Sequence, residues 1–371
     1  MTATPLFLWG PYLHPALLRA VLGREVVAEP AILPGYRVAG RDLPGVVPET
    51  GPGVTGLLVA ASAEDCARLA FHSGYAAWER RPVRPVAGGR AVMALVGTSK
   101  ADMNRIWKFP DWARQHADLA TAMAADIMAL FGQRDGAEVA GRRHAMEVRA
   151  DSRLHAAVEP APADLRRDAG PGDVAVATFA QPYARFFAVE EYDLSFRRFD
   201  GSMSATVNRA VFISCDAVTI LPYDPARDRV LVIEQFRAGP HARGDRNPWS
   251  LEAVAGRIDP GETAEAAGRR EALEEAGLTL GALLPVAGYY PSPGGKSEFI
   301  YSYVGLAELP DTATRIGGVE DEAEDIRAHV IPFGRLMDLV ASGEVGNAPL
   351  ILSALWLQRE RARLRDGLGL S

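Results

Sequence analysis

Glu271, Glu274 and Glu275 fall within five residues of one another. On a helix they take positions i, i+3 and i+4 and share one face. Like charges at that spacing repel and destabilise an isolated helix. Only Arg269 and Arg270 lie close enough in sequence to offset them. A cluster of hard oxygen ligands for Mg²⁺, with Mn²⁺ as the alternative ion, accounts for the repulsion better. Such a metal binds pyrophosphate oxygens and polarises phosphorus or an attacking water. The competing explanation is a solvated charged helix with no ligand.

The elements that must hold these carboxylates can be read around them. A helix is expected over residues 264–276. Gly256 lets the chain turn before it, and Glu262 can pair with Arg270 to tie the loop to the helix. Strands are expected at 211–221 and 229–235, joined by a Pro-Tyr-Asp-Pro turn, and at 326–331. A C-terminal helix is expected over 348–364. Residues 158–173 (VEPAPADLRRDAGPGD) are rich in Pro, Gly and Ala and read as a linker. The expected division is a first domain over 1–157, a linker over 158–173 and a second domain over 174–371. In the first, short apolar runs at 6–9, 56–60 and 91–96 alternate with Gly and Pro, as in a small β domain with a helix near 15–22. Leu119, Met123, Ile127 and Leu130 recur at helical spacing within 110–131, with Asp111 as a candidate N-cap. Residues 141–155 are basic and weakly patterned. No internal repeat is present.

Composition narrows the function classes. The chain has 371 residues, 48% hydrophobic and 23% charged, which fits globular domains and two of them. Its 47 acids against 40 bases, net −7, argue against a broad nucleic-acid or anionic-membrane surface. Lys100, Lys108 and Lys296 are the only lysines among those bases, so arginine-rich stretches carry little weight. The two cysteines, Cys66 and Cys215, make neither a disulfide framework nor a thiolate site, which fits a reducing cytoplasmic setting. The N-terminus lacks a basic leader, and no run of 18 apolar residues is present.

The segment GRIDPGETAEAAGRREALEEAGL (256–278) resembles the Nudix box. Gly256, Glu262, Arg270, Glu271, Glu274, Glu275, Gly277 and Leu278 all fall in register, and Ala272 replaces a larger aliphatic residue. Seven identities at residue frequencies of roughly 7% would arise about once in 10⁸ windows. The resemblance implies an α/β/α sandwich around a mixed sheet. It also implies metal ligation by Glu271 and Glu275, with Glu274 in the outer shell or bridging, and by the Ala255 carbonyl in the closest subfamily.

Flanking residues resemble the ADP-ribose pyrophosphatase subfamily over about residues 185–371. They include RRFDGSMS (197–204), DAVTILPYDPARDRVLVIEQFRAG (216–239), WSLEAVAGRIDPGE (249–262), YYPSPGGKSE (289–298) and EDEAEDIRAHVIP (320–332). Pro293, sixteen residues past Gly277, stands at the position that marks ADP-ribose specificity. The resemblance implies that Arg237 binds substrate phosphate and that Glu252 and Glu298 serve the terminal ribose or the metal shell. It further implies that Glu322 is the general base and Glu324 an added metal contact. The implied reaction is Mg²⁺-dependent hydrolysis of ADP-ribose to AMP and ribose 5-phosphate. A homodimer is implied, with strands at about 185–215 exchanged or packed across a two-fold axis. Another nucleoside diphosphate derivative, such as a sugar nucleotide or NADH, is the alternative substrate. A non-cleaving ADP-ribose sensor is the alternative from another class, but sensors usually lose box glutamates and none is missing.

The first domain resembles the γ-glutamylcyclotransferase fold at 6–23, 32–38, 44–62 and 75–85, implying a small β-barrel with helices. That makes the chain α+β with two domains. The family's Tyr-Gly-Thr-Leu motif here reads Trp9-Gly10-Pro11-Tyr12-Leu13, and Ser73 precedes Gly74 where the family has a catalytic Glu. Cyclotransfer by that base is therefore expected to be lost, with His72 a local hydrogen-bonding residue. The tandem resembles tellurite-resistance-associated Nudix proteins. Two further motifs mislead. GPGVTG (51–56) fits GxGxxG but precedes a strand-like run, and PGGKS (293–297) has Tyr290 where a phosphate loop needs Gly.

Overall fold

The computed structural model describes residues 4–40, 44–73, 77–98, 105–313, 316–317 and 325–367. The chain divides into two compact units, Met1–Ala161 and Pro162–Ser371.

In the first unit the strands are β1 (Thr4–Leu8), β2 (Ala28–Leu33), β3 (Tyr36–Ala39), β4 (Gly45–Pro48), β5 (Val54–Ala61), β6 (Ala77–Pro85) and β7 (Val92–Thr98). The helices are α1 (Pro15–Leu22), α2 (Ala63–Ser73), α3 (Phe109–Ala129), α4 (Gly136–Ala140) and α5 (Arg143–Val158). Five strands close a barrel in the order β1-β5-β2-β6-β7. The parallel pair of β1 with β7 shuts it. Strand periodicity places β1 residues on two sides. Phe7 packs with Ala31, Leu33, Val83, Ala94 and Val96. Leu6 and Leu8 pack instead with Leu17, Leu69, Trp112 and Ile127 of the helices. Gly56 permits the tight crossing, since a Cβ there would lie 2.4 Å from the Leu8 carbonyl oxygen.

One expectation fails here. Lys108, not Asp111, is the N-cap of α3, and Asp111 sits in the first turn, paired with Arg114 at 2.6 Å. Residues 143–158 form a helix despite their weak pattern. Its inner face carries Met146, Val148, Arg149 and Ala150, and the buried arginine blurs the apolar stripe.

In the second unit β8 (Val174–Ala184), β9 (Ala188–Phe196) and β10 (Val207–Ile213) form an antiparallel sheet in the order β10-β9-β8. The strands that follow are β11 (Ala217–Asp224), β12 (Arg229–Phe236), β13 (Trp249–Glu252), β14 (Val254–Arg257), β15 (Leu283–Tyr289), β16 (Ile300–Leu306), β17 (Ile316–Gly317) and β18 (Ile326–Pro332). The helices are α6 (Ala238–Arg243), α7 (Ala264–Ala276), α8 (Phe333–Ser342) and α9 (Ala348–Asp366). These eight strands make a mixed sheet ordered β15-β16-β11-β12-β18-β17, with β13 on β12 and β14 on β11. The parallel pair is β11 with β16. One face packs Val218, Ile220, Leu231 and Ile233 against Ala267, Ala272 and Ala276 of α7. The other packs Leu221, Tyr223, Val230 and Val232 against Phe333, Leu336, Leu350 and Leu357 of α8 and α9. Strand β11 is covered on both faces, which explains its continuous burial from Val218 to Asp224. The strand expected over 211–221 is in fact two. The chain leaves the three-stranded sheet at Ile213 and enters the mixed sheet at Ala217.

Candidate active site

Helix α7 is built for close approach. Thr263 caps its start by accepting the Ala266 N–H. Gly277 ends it in the left-handed region, φ +63°. At Gly268 a Cβ would lie 2.6 Å from Ile220 Cδ1, so the glycine lets the helix lie low on the sheet.

That approach brings two glutamates onto β14. Glu275 is 2% exposed, and its Oε2 accepts the Ala255 N–H at 3.1 Å. Glu271 lies directly over Gly256, where an added Cβ would stand 1.9 Å from Glu271 Oε1 and 2.0 Å from its Cδ. Gly256 is therefore not a turn residue. It belongs to β14, opposite Val218, and its missing side chain makes room for a carboxylate. Glu274 is the outermost of the three, its side chain 40% exposed.

Arg270 joins the cluster. Its Nε and Nη2 donate to Glu262 at 3.2 and 2.9 Å. Its Nη1 donates to Glu271 at 2.6 Å and to Glu274 at 3.2 Å. The hydrogen bond to Glu262 and the charge of Glu271 raise its pKa further. The repulsion among the glutamates is thus partly relieved by this one arginine. Arg269 plays no part in that, since it donates to the carbonyls of Leu280 and Gly281.

The other candidates gather at the same end of the sheet. Arg237 follows β12 and forms a bidentate pair with Glu252 of β13, at 3.0 and 2.7 Å. The Glu252 side chain is 8% exposed and that of Arg237 41%. Glu298 precedes β16, accepts from Lys296 Nζ at 2.7 Å and from Ser214 Oγ at 3.4 Å. Pro293 is exposed in the turn before it. Glu322 and Glu324 lie outside the described residues. Among the described residues no three His, Cys, Asp or Glu side chains stand close enough together to hold a metal ion.

Two neighbours escaped the sequence reading. Arg257 stacks on Phe186 with its Cζ 3.7 Å from the ring centroid, and Lys296 holds Glu298. Arg257 directly follows the box glycine, which was the available signal. Its partner Phe186 is 71 positions away in sequence, so the pair is visible only after folding.

A Nudix domain model matches residues 214–352. The ADP-ribose pyrophosphatase of Escherichia coli (strain K12) is 39% identical over 197 residues, covering 53% of this chain and 93% of that protein. The chain belongs to the Nudix family. It is a Nudix hydrolase. The ADP-ribose pyrophosphatase of Haemophilus influenzae is 32% identical over 186 residues, 50% of this chain and 85% of that protein. A GDP-mannose pyrophosphatase of Salmonella paratyphi B is 33% identical over 150 residues, 40% of this chain and 77% of that protein. The matched Nudix segment contains α7 and the strands that face it, from Ser214 onward. The barrel unit lies outside it.

No helix among the described residues is long and apolar enough to cross a membrane.

Proposed function

We propose that the Nudix unit hydrolyses ADP-ribose to AMP and ribose 5-phosphate with a divalent cation, Mg²⁺ in the first instance. The observation that carries the reading is the seating of α7 on β14, with Glu271 over Gly256 and Glu275 under Ala255. Two carboxylates and a backbone carbonyl are hard oxygen donors, the set that suits such a cation. Glu271, Glu275 and the Ala255 carbonyl would hold it, with Glu324 as a further ligand. When bound, the ion supplies neutralisation of the diphosphate and Lewis-acid polarisation.

The chain's own residues do the rest. Arg237, with its planar fork of donors, takes a phosphate oxygen, and its bond to Glu252 fixes the fork in one plane. Glu322 takes the proton of the attacking water. The water oxygen bonds to one phosphorus, the P–O–P bridge breaks, and each product leaves with one phosphate. Arg270 ties the loop at Glu262 to the helix and keeps Glu271 in place. Pro293 and Glu298 border the terminal ribose.

The substrate assignment rests on the 39% likeness to an ADP-ribose pyrophosphatase across nearly that protein's whole length. A second reading, a sugar nucleotide, is favoured by the likeness to a GDP-mannose pyrophosphatase. Product analysis with ADP-ribose, GDP-mannose, ADP-sugars and NADH separates them. Preferential AMP and ribose 5-phosphate from ADP-ribose supports the first, and preferential GMP from GDP-mannose replaces it.

A homodimer through the three-stranded sheet completes the reading. Val174, Val176, Phe179 and Tyr183 of β8 are each about half exposed, an apolar strand that a second copy would cover. In the barrel unit, Ser73 offers no carboxylate, so we assign that unit no cyclotransferase activity. Gly74, the next residue of that motif, lies outside the described residues.

A further inference from the structure

The parallel pairing of β11 with β16 begins upstream of both strands. Phe212, near the end of β10, bridges Lys296 in the parallel sense. The Phe212 N–H donates to the Gly295 carbonyl at 2.8 Å, and the Ser297 N–H donates to the Phe212 carbonyl at 3.1 Å. Further along, the Ala217 N–H donates to the Phe299 carbonyl at 2.9 Å, and Ala217 stands opposite Ile300. The turn that carries Pro293 and Glu298 is therefore laid along the connection between the three-stranded sheet and the mixed sheet.

The two segments do not match in length. Residues 213–216 lie between Phe212 and Ala217, but only residues 297–299 lie between Lys296 and Ile300. An extra residue on one side of a ladder leaves backbone groups without ladder partners. Ser214 lies in that stretch and is 7% exposed, so orphaned groups there would be costly. The Ser297 side chain serves both. Its Oγ accepts the Ser214 N–H at 3.1 Å and donates to the Ser214 carbonyl at 3.0 Å. A hydroxyl has one proton to give and two lone pairs, so one side chain can stand in for a missing backbone partner.

What Ser297 fastens is a unit. The N–H groups of Gly295 and Lys296 both donate to the Ser292 carbonyl, at 3.2 and 3.0 Å, which closes the turn around Pro293. On the other side of Ser297, the Glu298 carboxylate takes Lys296 Nζ at 2.7 Å and Ser214 Oγ at 3.4 Å. Ser214 thus meets Ser297 through its backbone and Glu298 through its side chain. A displacement at Ser297 carries Pro293 and Glu298 with it.

We propose that Ser297 is a positioning residue for substrate, whose hydroxyl holds the turn from Pro293 to Glu298 where it borders the terminal ribose. The inference rests on the ADP-ribose reading above and deepens it. Ser297 acts through the Ser214 backbone and the turn, not by touching substrate. The terminal ribose does not itself react, so its contacts favour the ground state and the transition state alike. Losing them raises KM and leaves kcat in place.

The test measures steady-state AMP release by the full chain, with Ser297→Ala to remove the hydroxyl and Ser297→Thr to restore it. The α,β-methylene analogue of ADP serves as a competitive inhibitor that lacks the terminal ribose and cannot be cleaved at the bridge. In Ser297→Ala, KM for ADP-ribose is expected to rise about fivefold or more, with kcat and the inhibitor Ki within about twofold of the parent. Ser297→Thr is expected to return KM to within about twofold of the parent value. Ser297→Cys, whose bonds are longer and weaker, stands in if the alanine variant fails to fold, with KM raised about twofold or more. An unchanged KM without the hydroxyl overturns the proposal. So does a Ki that rises in step with KM, which marks a general disturbance of the site, or a threonine variant as impaired as the alanine one. A parent that cleaves GDP-mannose but not ADP-ribose refutes the substrate reading alone, and the KM comparison on GDP-mannose then decides Ser297. A parent that cleaves neither overturns both.

Discussion

Replacing Gly256 with alanine removes no functional group, yet it should disable the Nudix site. The new Cβ would stand 1.9 Å from Glu271 Oε1, 2.0 Å from its Cδ and 2.5 Å from its Cγ. To regain ordinary contact the carboxylate must retreat by about 1.5 Å, and misplacements near 1 Å can cost ~10²-fold in rate. We therefore expect kcat to fall about 100-fold, ~2.7 kcal/mol of transition-state stabilisation. Stability should barely change. Alanine in a strand gains roughly 0.5–1 kcal/mol over glycine, while the Arg270–Glu271 pair, partly exposed, returns little when lost. Gly268→Ala is the control. Its Cβ would meet Ile220 Cδ1 at 2.6 Å and Val218 Cγ2 at 3.3 Å, which are core atoms rather than a site group. Overpacking there costs ~1–3 kcal/mol, against about 1 kcal/mol gained in helix propensity. The control should lower Tm more and kcat less than Gly256→Ala does. Steady-state AMP release and thermal melts on both variants give the comparison. A Gly256→Ala enzyme within threefold of the parent kcat would refute the argument that Glu271 needs that place.

Other substitutions test separate parts. Glu275→Gln keeps the shape and an acceptor for the Ala255 N–H but removes the charge, and turnover should drop more than ~100-fold with little change in fold; an active variant would reject Glu275 as a metal ligand. Arg237→Met leaves the buried Glu252 carboxylate unpaired, so KM for ADP-ribose should rise at least tenfold and Tm should fall together, while Arg237→Met/Glu252→Met recovers Tm but not KM. An unchanged KM would remove Arg237 from the phosphate site. His72 has a pKa lowered to about 3 in the folded barrel unit. The unfolded chain therefore binds its proton first as pH falls, so stability present above about pH 6.5 is lost progressively towards pH 3. At pH 5 the loss is ~2 kcal/mol, and His72→Gln should flatten this dependence. Melts of parent and variant at pH 7 and 5 that change equally would contradict the buried neutral imidazole.

The box was legible because its chemistry is local. Spacing alone put Glu271, Glu274 and Glu275 on one helix, and that helix spans Ala264–Ala276 as the pattern requires. The Glu262–Arg270 pair was readable for the same reason, eight residues apart. Strand β12 was legible from its apolar run between turn residues. Helix α5 was not, since Arg149 faces inward and weakens its stripe. The role of Gly256 was misread because a glycine before a helix looks like a turn, while the atom that requires it belongs to a side chain fifteen residues on.

The sequence by itself determined the class of chemistry, since carboxylate spacing, caps and strand runs depend on neighbours within a few residues. Tertiary structure alone decided which groups face each other. Arg237 meets Glu252, Arg257 meets Phe186, and Tyr12 meets His72 across 60 residues. Hydrogen bonds and ring contacts act over a few ångströms, and only packing of distant segments brings those partners within that range. The unpartnered Nε2 of His72 arises the same way, for burial is a property of the folded core and not of any residue in the chain.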